Sequence, residues 1–303
     1  MTELFGGVGV ALVTAYGEDG AADPDSTSKL AHDLVARGMR AVLVCGTTGE
    51  AKTLSAEERT ALIAAVREAV PAAIPVIAGT GARSAGEAAE LTRAAVGAGA
   101  DAVLAFPPPR EAAGDRDAPD GAAGGEAAGG GETARDEATG GGEAAGGEPG
   151  GGADAAYAAG LADFYAAIGE AASGRPVLAY HVPWVSSPGL PVSALPGLPI
   201  AGIKDSSGSA DRLLDELAHY RGATYVGSSA LLALAGPMGA AGAILALANV
   251  EPERCCRAFA GDAMAQRELA EVHLEVKRGG PPALKRILAK TRGMSPAARV
   301  TSF

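Results

Sequence analysis

"PIAGIKDSSG", residues 199–208, begins as a buried β-strand and ends its apolar run on a lysine. Ile200, Ala201, Gly202 and Ile203 are apolar on both faces, the pattern of a strand in a parallel sheet covered on both sides. Lys204 stands where that run stops. A lysine is almost never fully buried unless it is paired or employed. In isolation such a residue snorkels its ammonium to water along its methylene stem; the rest of the chain decides whether Lys204 does more.

Seven further apolar runs resemble the first: "VGVALVTAY" from 8, "AVLVCGT" from 41, "IPVIAGTG" from 74, "ADAVLAF" from 100, "PVLAYHV" from 176, "ATYVGSS" from 223 and "GAILALANV" from 242. Helical patterns separate them. "SAEE" at 55 and "SAGE" at 84 read as Ser-x-x-Glu capping boxes, which satisfy orphan amides at a helix N-terminus. Strand–helix alternation means parallel βαβ units, and eight nearly even repeats favour closure into a (β/α)₈ TIM barrel over an open sheet. Residues 183–199 are too Pro-rich for more than a short helix, and 251–290 is long enough for several. The barrel is therefore expected to carry additional C-terminal helices, over about 262–303. Strand C-terminal ends build the active site of such a barrel, and Lys204 lies at one.

Of the 303 residues, 48% are hydrophobic. Residues 111–155 hold eleven Asp or Glu against two Arg, which leaves only about −2 of the net charge of −11 for the rest. That segment has fifteen Gly, thirteen Ala and no large apolar side chain, so it cannot offset its ordering entropy and is expected to be a disordered insertion after strand 4. The remainder is the length of one barrel, read as a single domain. No basic patch for nucleic acid stands out. Three cysteines without C-x-x-C spacing fit a reducing compartment. "MTELFGGVGVALVTAY" has no positive n-region and is too short for a bilayer, so a cytoplasmic protein without a membrane partner is expected. His32, His181, His219 and His273 lack ligand spacing, and neither a metal nor a cofactor is expected.

The second strand runs into "CGTTGE", residues 45–50, whose amides and threonine hydroxyls suit an anion such as a carboxylate. A Walker A reading fails because Ala51, not glycine, precedes Lys52. The fifth strand ends in "AYHVP", so Tyr180 lies beside Lys204 if consecutive strands are neighbours roughly 4.8 Å apart. A lysine desolvated in a barrel mouth loses its proton more readily, and its amine becomes a nucleophile toward a carbonyl. These features together describe a Schiff base. The partner expected for it is a 2-oxo acid with its carboxylate at Thr47 and Thr48, its ketone at Lys204 and Tyr180 as proton shuttle.

"GTTGE", "YHVP", "GIKDSSG" and "GAILALANV" resemble, in this order, the dihydrodipicolinate synthase and N-acetylneuraminate lyase family of class I aldolases. The resemblance spans the chain except 111–155. It implies a (β/α)₈ barrel, usually a homotetramer or dimer, acting on pyruvate or another 2-oxo acid. Carried over by position, it implies Lys204 as Schiff-base lysine, Tyr180 as proton shuttle, Thr47 as relay hydroxyl, Thr48 as carboxylate ligand and Ile244 as pyruvate contact. Two departures stand out. Strand 4 runs into "FPPPR" without the family's tyrosine, for which Tyr157 and Tyr165 are substitutes to consider. Val185 occupies the position of an arginine that holds the second substrate in dihydrodipicolinate-forming members. The leading expectation is a pyruvate-dependent aldolase or lyase of the 4-hydroxy-2-oxoglutarate or 2-keto-3-deoxy sugar-acid type. The alternatives are 4-hydroxy-tetrahydrodipicolinate synthase of lysine biosynthesis and a catalytically degenerate 2-oxo-acid-binding barrel.

Overall fold

Every apolar run forms a strand in the computed structural model, which describes residues 3–110 and 151–300. Of the insertion expected to be disordered over 111–155, residues 111–150 lie outside the described residues, whereas 151–155 depart from that expectation: a helix begins at Gly151, inside the low-complexity tract. The strands are β1 (Gly7–Ala11), β2 (Val42–Val44), β3 (Val76–Gly79), β4 (Ala102–Ala105), β5 (Val177–His181), β6 (Gly202–Asp205), β7 (Ala223–Val226) and β8 (Gly242–Leu245). Each pairs in parallel with the next, and β8 returns to β1 to close the barrel.

The crossovers carry α1 (Pro24–Ala36), α2 (Ala56–Ala69), α3 (Ala85–Gly97), α4 (Gly151–Ala171), α5 (Ala210–His219) and α6 (Leu232–Ala235). Between β5 and β6 the Pro-rich stretch yields only a 3-10 turn, Val192–Gly197. After β8 come α7 (Pro252–Phe259), α8 (Ala263–Glu268) and α9 (Ala270–Arg292). α9 is broken at Gly280 (φ 56°), where Pro281 and Pro282 follow. Prolines in a helix interior remove a donor and clash with the preceding turn, which accounts for the kink.

Ser55 makes the full reciprocal capping box with Glu58. Ser84 accepts from the Glu87 amide at 3.2 Å, so the second expected box is realised at least in that half. Alternation along the strands divides the core in two. Leu43, Ile77, Leu104, Leu178, Tyr180, Tyr225 and Ile244 fill the barrel, while Val10, Val42, Val44, Val103, Val177 and Ile203 point out to the helices. Phe5 stacks on Tyr225 with ring centres 4.7 Å apart, and the Tyr225 hydroxyl donates to the Phe5 carbonyl at 3.1 Å. This pair belongs to the packing inside the barrel, and Tyr225 is the register partner of Lys204 on β7. Buried Asn249 ties the barrel seam, accepting from the Val13 amide at 3.1 Å and donating to the Ala11 carbonyl at 2.7 Å.

Candidate active site

Lys204 is only 4% exposed, and its register partner across β5–β6 is Tyr180. The ammonium nitrogen stands 4.6 Å from the centre of the tyrosine ring. Burial lowers the lysine pKa below its ordinary value, and the Tyr180 side chain opposes that shift in part. A buried amine of this kind spends more of its time neutral, as a nucleophile requires.

A cavity of about 540 Å³ opens over Lys204 and is also lined by Tyr180, Thr47, Thr48 and Trp184. A second, of about 160 Å³, shares Thr47, Tyr180 and Trp184 and extends to Phe106 and Val185. Four of the six residues singled out from the sequence thus line one mouth, and Val185 lines the adjoining one. Ile244 does not line either cavity; it is 1% exposed and packs in the barrel interior with Tyr180 and Val182.

The "GTTGE" turn is shaped by its own amides, since Glu50 and Ala51 donate back to the carbonyls of Thr47 and Gly46 at 3.0 and 3.2 Å. Thr14, in the loop after β1, clamps it by donating to the Gly49 carbonyl at 2.7 Å. Glu50 borders the second cavity and forms an ion pair with Lys285 of α9, both side chains being essentially unexposed. Its other oxygen accepts from the amides of Arg299 and Val300 at 2.6 and 2.9 Å.

Several groups at the mouth escaped the sequence reading. Ser206 hydrogen-bonds the Tyr180 hydroxyl at 3.3 Å, and Gly227 is the residue that lets it sit there: a Cβ at 227 would lie 2.0 Å from the Ser206 Oγ. Asp205 accepts from the amide of Ser207 at 2.7 Å and from its hydroxyl at 2.9 Å, fixing the loop after β6. Ser229 and His273 hydrogen-bond at 2.7 Å, and Lys277 and Arg278 complete the rim. "DSSG" and "GSS" were visible as hydroxyl-rich loops, whereas nothing local in α9 marks it as part of the mouth.

Neither candidate replacement for the strand-4 tyrosine reaches the cavity. The Tyr157 hydroxyl donates to the Gly189 carbonyl and that of Tyr165 to the Ala105 carbonyl, each at 3.0 Å. Burial raises both phenols further above their ordinary pKa. His181, which accepts from the Leu190 amide at 3.0 Å, is pushed down to about 4 by burial and holds the loop after β5 as a neutral ring.

The model of the dihydrodipicolinate synthetase family matches residues 4–109. The 4-hydroxy-tetrahydrodipicolinate synthase of Synechococcus sp. (strain CC9902) is 46% identical over 104 residues, 34% of each chain. The match thus spans about a third of the length of that relative. The enzyme of the same name from Acidithiobacillus ferrooxidans is 31% identical over 274 residues, covering 87% of this chain and 79% of that one. Among solved structures, the chloride-inhibited dihydrodipicolinate synthase of Acinetobacter baumannii, complexed with pyruvate, is 28% identical with a TM-score of 0.74, covering 98% of this chain and 94% of that chain. With the barrel closed and the long alignment running through both halves of it, the chain belongs to the dihydrodipicolinate synthetase family.

Proposed function

We propose that this chain is a lyase that holds a 2-oxo acid as an imine on Lys204 and makes or breaks the carbon–carbon bond beyond the imine carbon. One observation carries the reading: a lysine 4% exposed, at a strand C-terminal end, open only to a cavity that also holds Tyr180, Thr47 and Thr48.

The neutral amine adds to the ketone carbon and water leaves, giving the imine. With a 4-hydroxy-2-oxo acid bound, the C3–C4 bond breaks as a base takes the 4-hydroxyl proton. An aldehyde departs and the electron pair moves into the imine to give an enamine. Protonation at C3 and hydrolysis then release pyruvate and regenerate Lys204. Tyr180, beside the nitrogen, is the proton carrier; Thr47 and Thr48 receive the carboxylate. Ser206 steadies the phenol in place of a second tyrosine. The family name of the relatives favours a second reading, condensation of pyruvate with aspartate semialdehyde as in 4-hydroxy-tetrahydrodipicolinate synthase. Against it stands Val185, an apolar side chain facing the second cavity.

The test compares pyruvate release from 4-hydroxy-2-oxoglutarate and 2-keto-3-deoxygluconate with condensation of aspartate semialdehyde. Val185→Arg is measured alongside. A missing charge-assisted hydrogen bond costs roughly 1.5–3 kcal/mol, so the arginine is expected to improve condensation by one to two orders of magnitude. Efficient condensation by the native chain, unimproved by the arginine, establishes the second reading instead.

A further inference from the structure

The cavity over Lys204, about 540 Å³, is in the range that encloses a ligand of drug size, far more than a three-carbon acid fills. Its contents are graded by depth. Lys204 and Thr48 are buried at the floor; Lys277 and Arg278 of α9 are exposed at the rim. Ser206, Ser207 and the Ser229–His273 pair line the intervening wall. Among the described residues no Asp or Glu lines this cavity, and neither Lys277 nor Arg278 has an ion-pair partner. A mouth whose only charged groups are cations, in a chain of net charge −11, concentrates anions rather than neutral ligands.

We propose that α9 reads the far end of the substrate and that this end is an oxyanion. Lys277 and Arg278 hold a carboxylate or phosphate on a hydroxylated 2-oxo acid whose ketone reaches Lys204. The serine hydroxyls and His273 face the hydroxyl groups between. Cationic recognition thus sits on the C-terminal helix, in the cavity over Lys204, whereas Val185 lines the second cavity. The near end of this assignment rests on the imine reading of Lys204; the far end does not.

Trp184 lines the same cavity and is the chain's only tryptophan, so its fluorescence reports binding without turnover. The native chain is titrated with 2-oxoglutarate and with 2-oxopentanoate, which has the same carbon chain without the distal carboxylate. 2-Keto-3-deoxygluconate and its 6-phosphate form a second pair. The member that carries the distal anion is expected to bind about tenfold more tightly or better in at least one pair, and the double variant Lys277→Met, Arg278→Met is expected to bring it to the level of the partner that lacks the distal anion. A preference confined to the phosphate pair assigns a phosphate; one confined to 2-oxoglutarate assigns a carboxylate. Equal affinities within both pairs, or a preference that survives the double variant, overturns the inference. Borohydride reduction with pyruvate runs in parallel. A preserved anion preference without an adduct at Lys204 upholds the role of α9 and defeats the imine reading; an adduct without any preference does the reverse.

Discussion

Glu50 and Lys285 form a buried ion pair although 235 residues separate them in sequence. The pair couples the last residue of "GTTGE" to the helix beyond the closed barrel. Lys285 also lies 4.0 Å above the Tyr16 ring, where burial lowers its pKa in spite of the carboxylate beside it. Glu50 itself adopts left-handed backbone (φ 59°), a conformation that costs a non-glycine residue about 1–2 kcal/mol and is held here by its three partners. Removing one partner of a buried pair strands the other charge. Lys285→Met is therefore expected to cost about 3–5 kcal/mol in urea unfolding. It should also weaken binding of 2-oxo acids, because the turn carrying Thr47 and Thr48 loses its anchor. A loss below about 1 kcal/mol would show that the pair is dispensable.

In α5, which follows β6, Glu216 is fully buried, and neither of its carboxylate oxygens accepts a hydrogen bond among the described residues. The Arg212 guanidinium is 2.9 Å away but poorly aligned for one. Burial, followed by the nearby Asp205, raises the Glu216 pKa from 4.5 to about 8. A folded-state pKa raised above the unfolded value means that the folded chain holds the extra proton through this window. Its contribution to stability is fully present below about 4.5 and is lost as the pH rises through about 8. Glu216→Gln keeps the neutral form at every pH. The variant should match the native chain near pH 4.5 and exceed it by about 1–3 kcal/mol above pH 8. Parallel stability curves for the two would contradict the assignment.

Gly227→Ala tests the contact between Ser206 and Tyr180. The new methyl group would collide with the serine hydroxyl and crowd the Asp205 carbonyl at 3.1 Å, so the loop after β6 must shift. Turnover should fall about 10- to 100-fold, the range in which misplacing a positioned group acts. Imine formation at Lys204 should persist, since the lysine precedes the loop. Unchanged turnover would show that Ser206 does not position the phenol.

The barrel was legible because its strands are apolar on both faces and recur evenly, so element type and order followed from pattern alone. The Tyr180–Lys204 pairing was legible for the same reason: neighbouring strands of a closed barrel bring their ends together. What escaped depends on contacts that local pattern does not encode. α9 reaches the mouth after the sheet has closed, and its course depends on a break at Gly280 and on the Glu50–Lys285 pair. His273 looked isolated among four scattered histidines because its partner, Ser229, lies in the loop after β7.

The most direct test of the central claim is to incubate the chain with pyruvate, reduce with borohydride across a pH series and locate the modification by peptide mass spectrometry. The account predicts a single adduct at Lys204, absent in Lys204→Ala. Because burial lowers the pKa of this lysine, its yield should rise with pH and level off below the ordinary lysine value of 10.5. An unmodified protein, or an adduct confined to an exposed lysine such as Lys277, would contradict it.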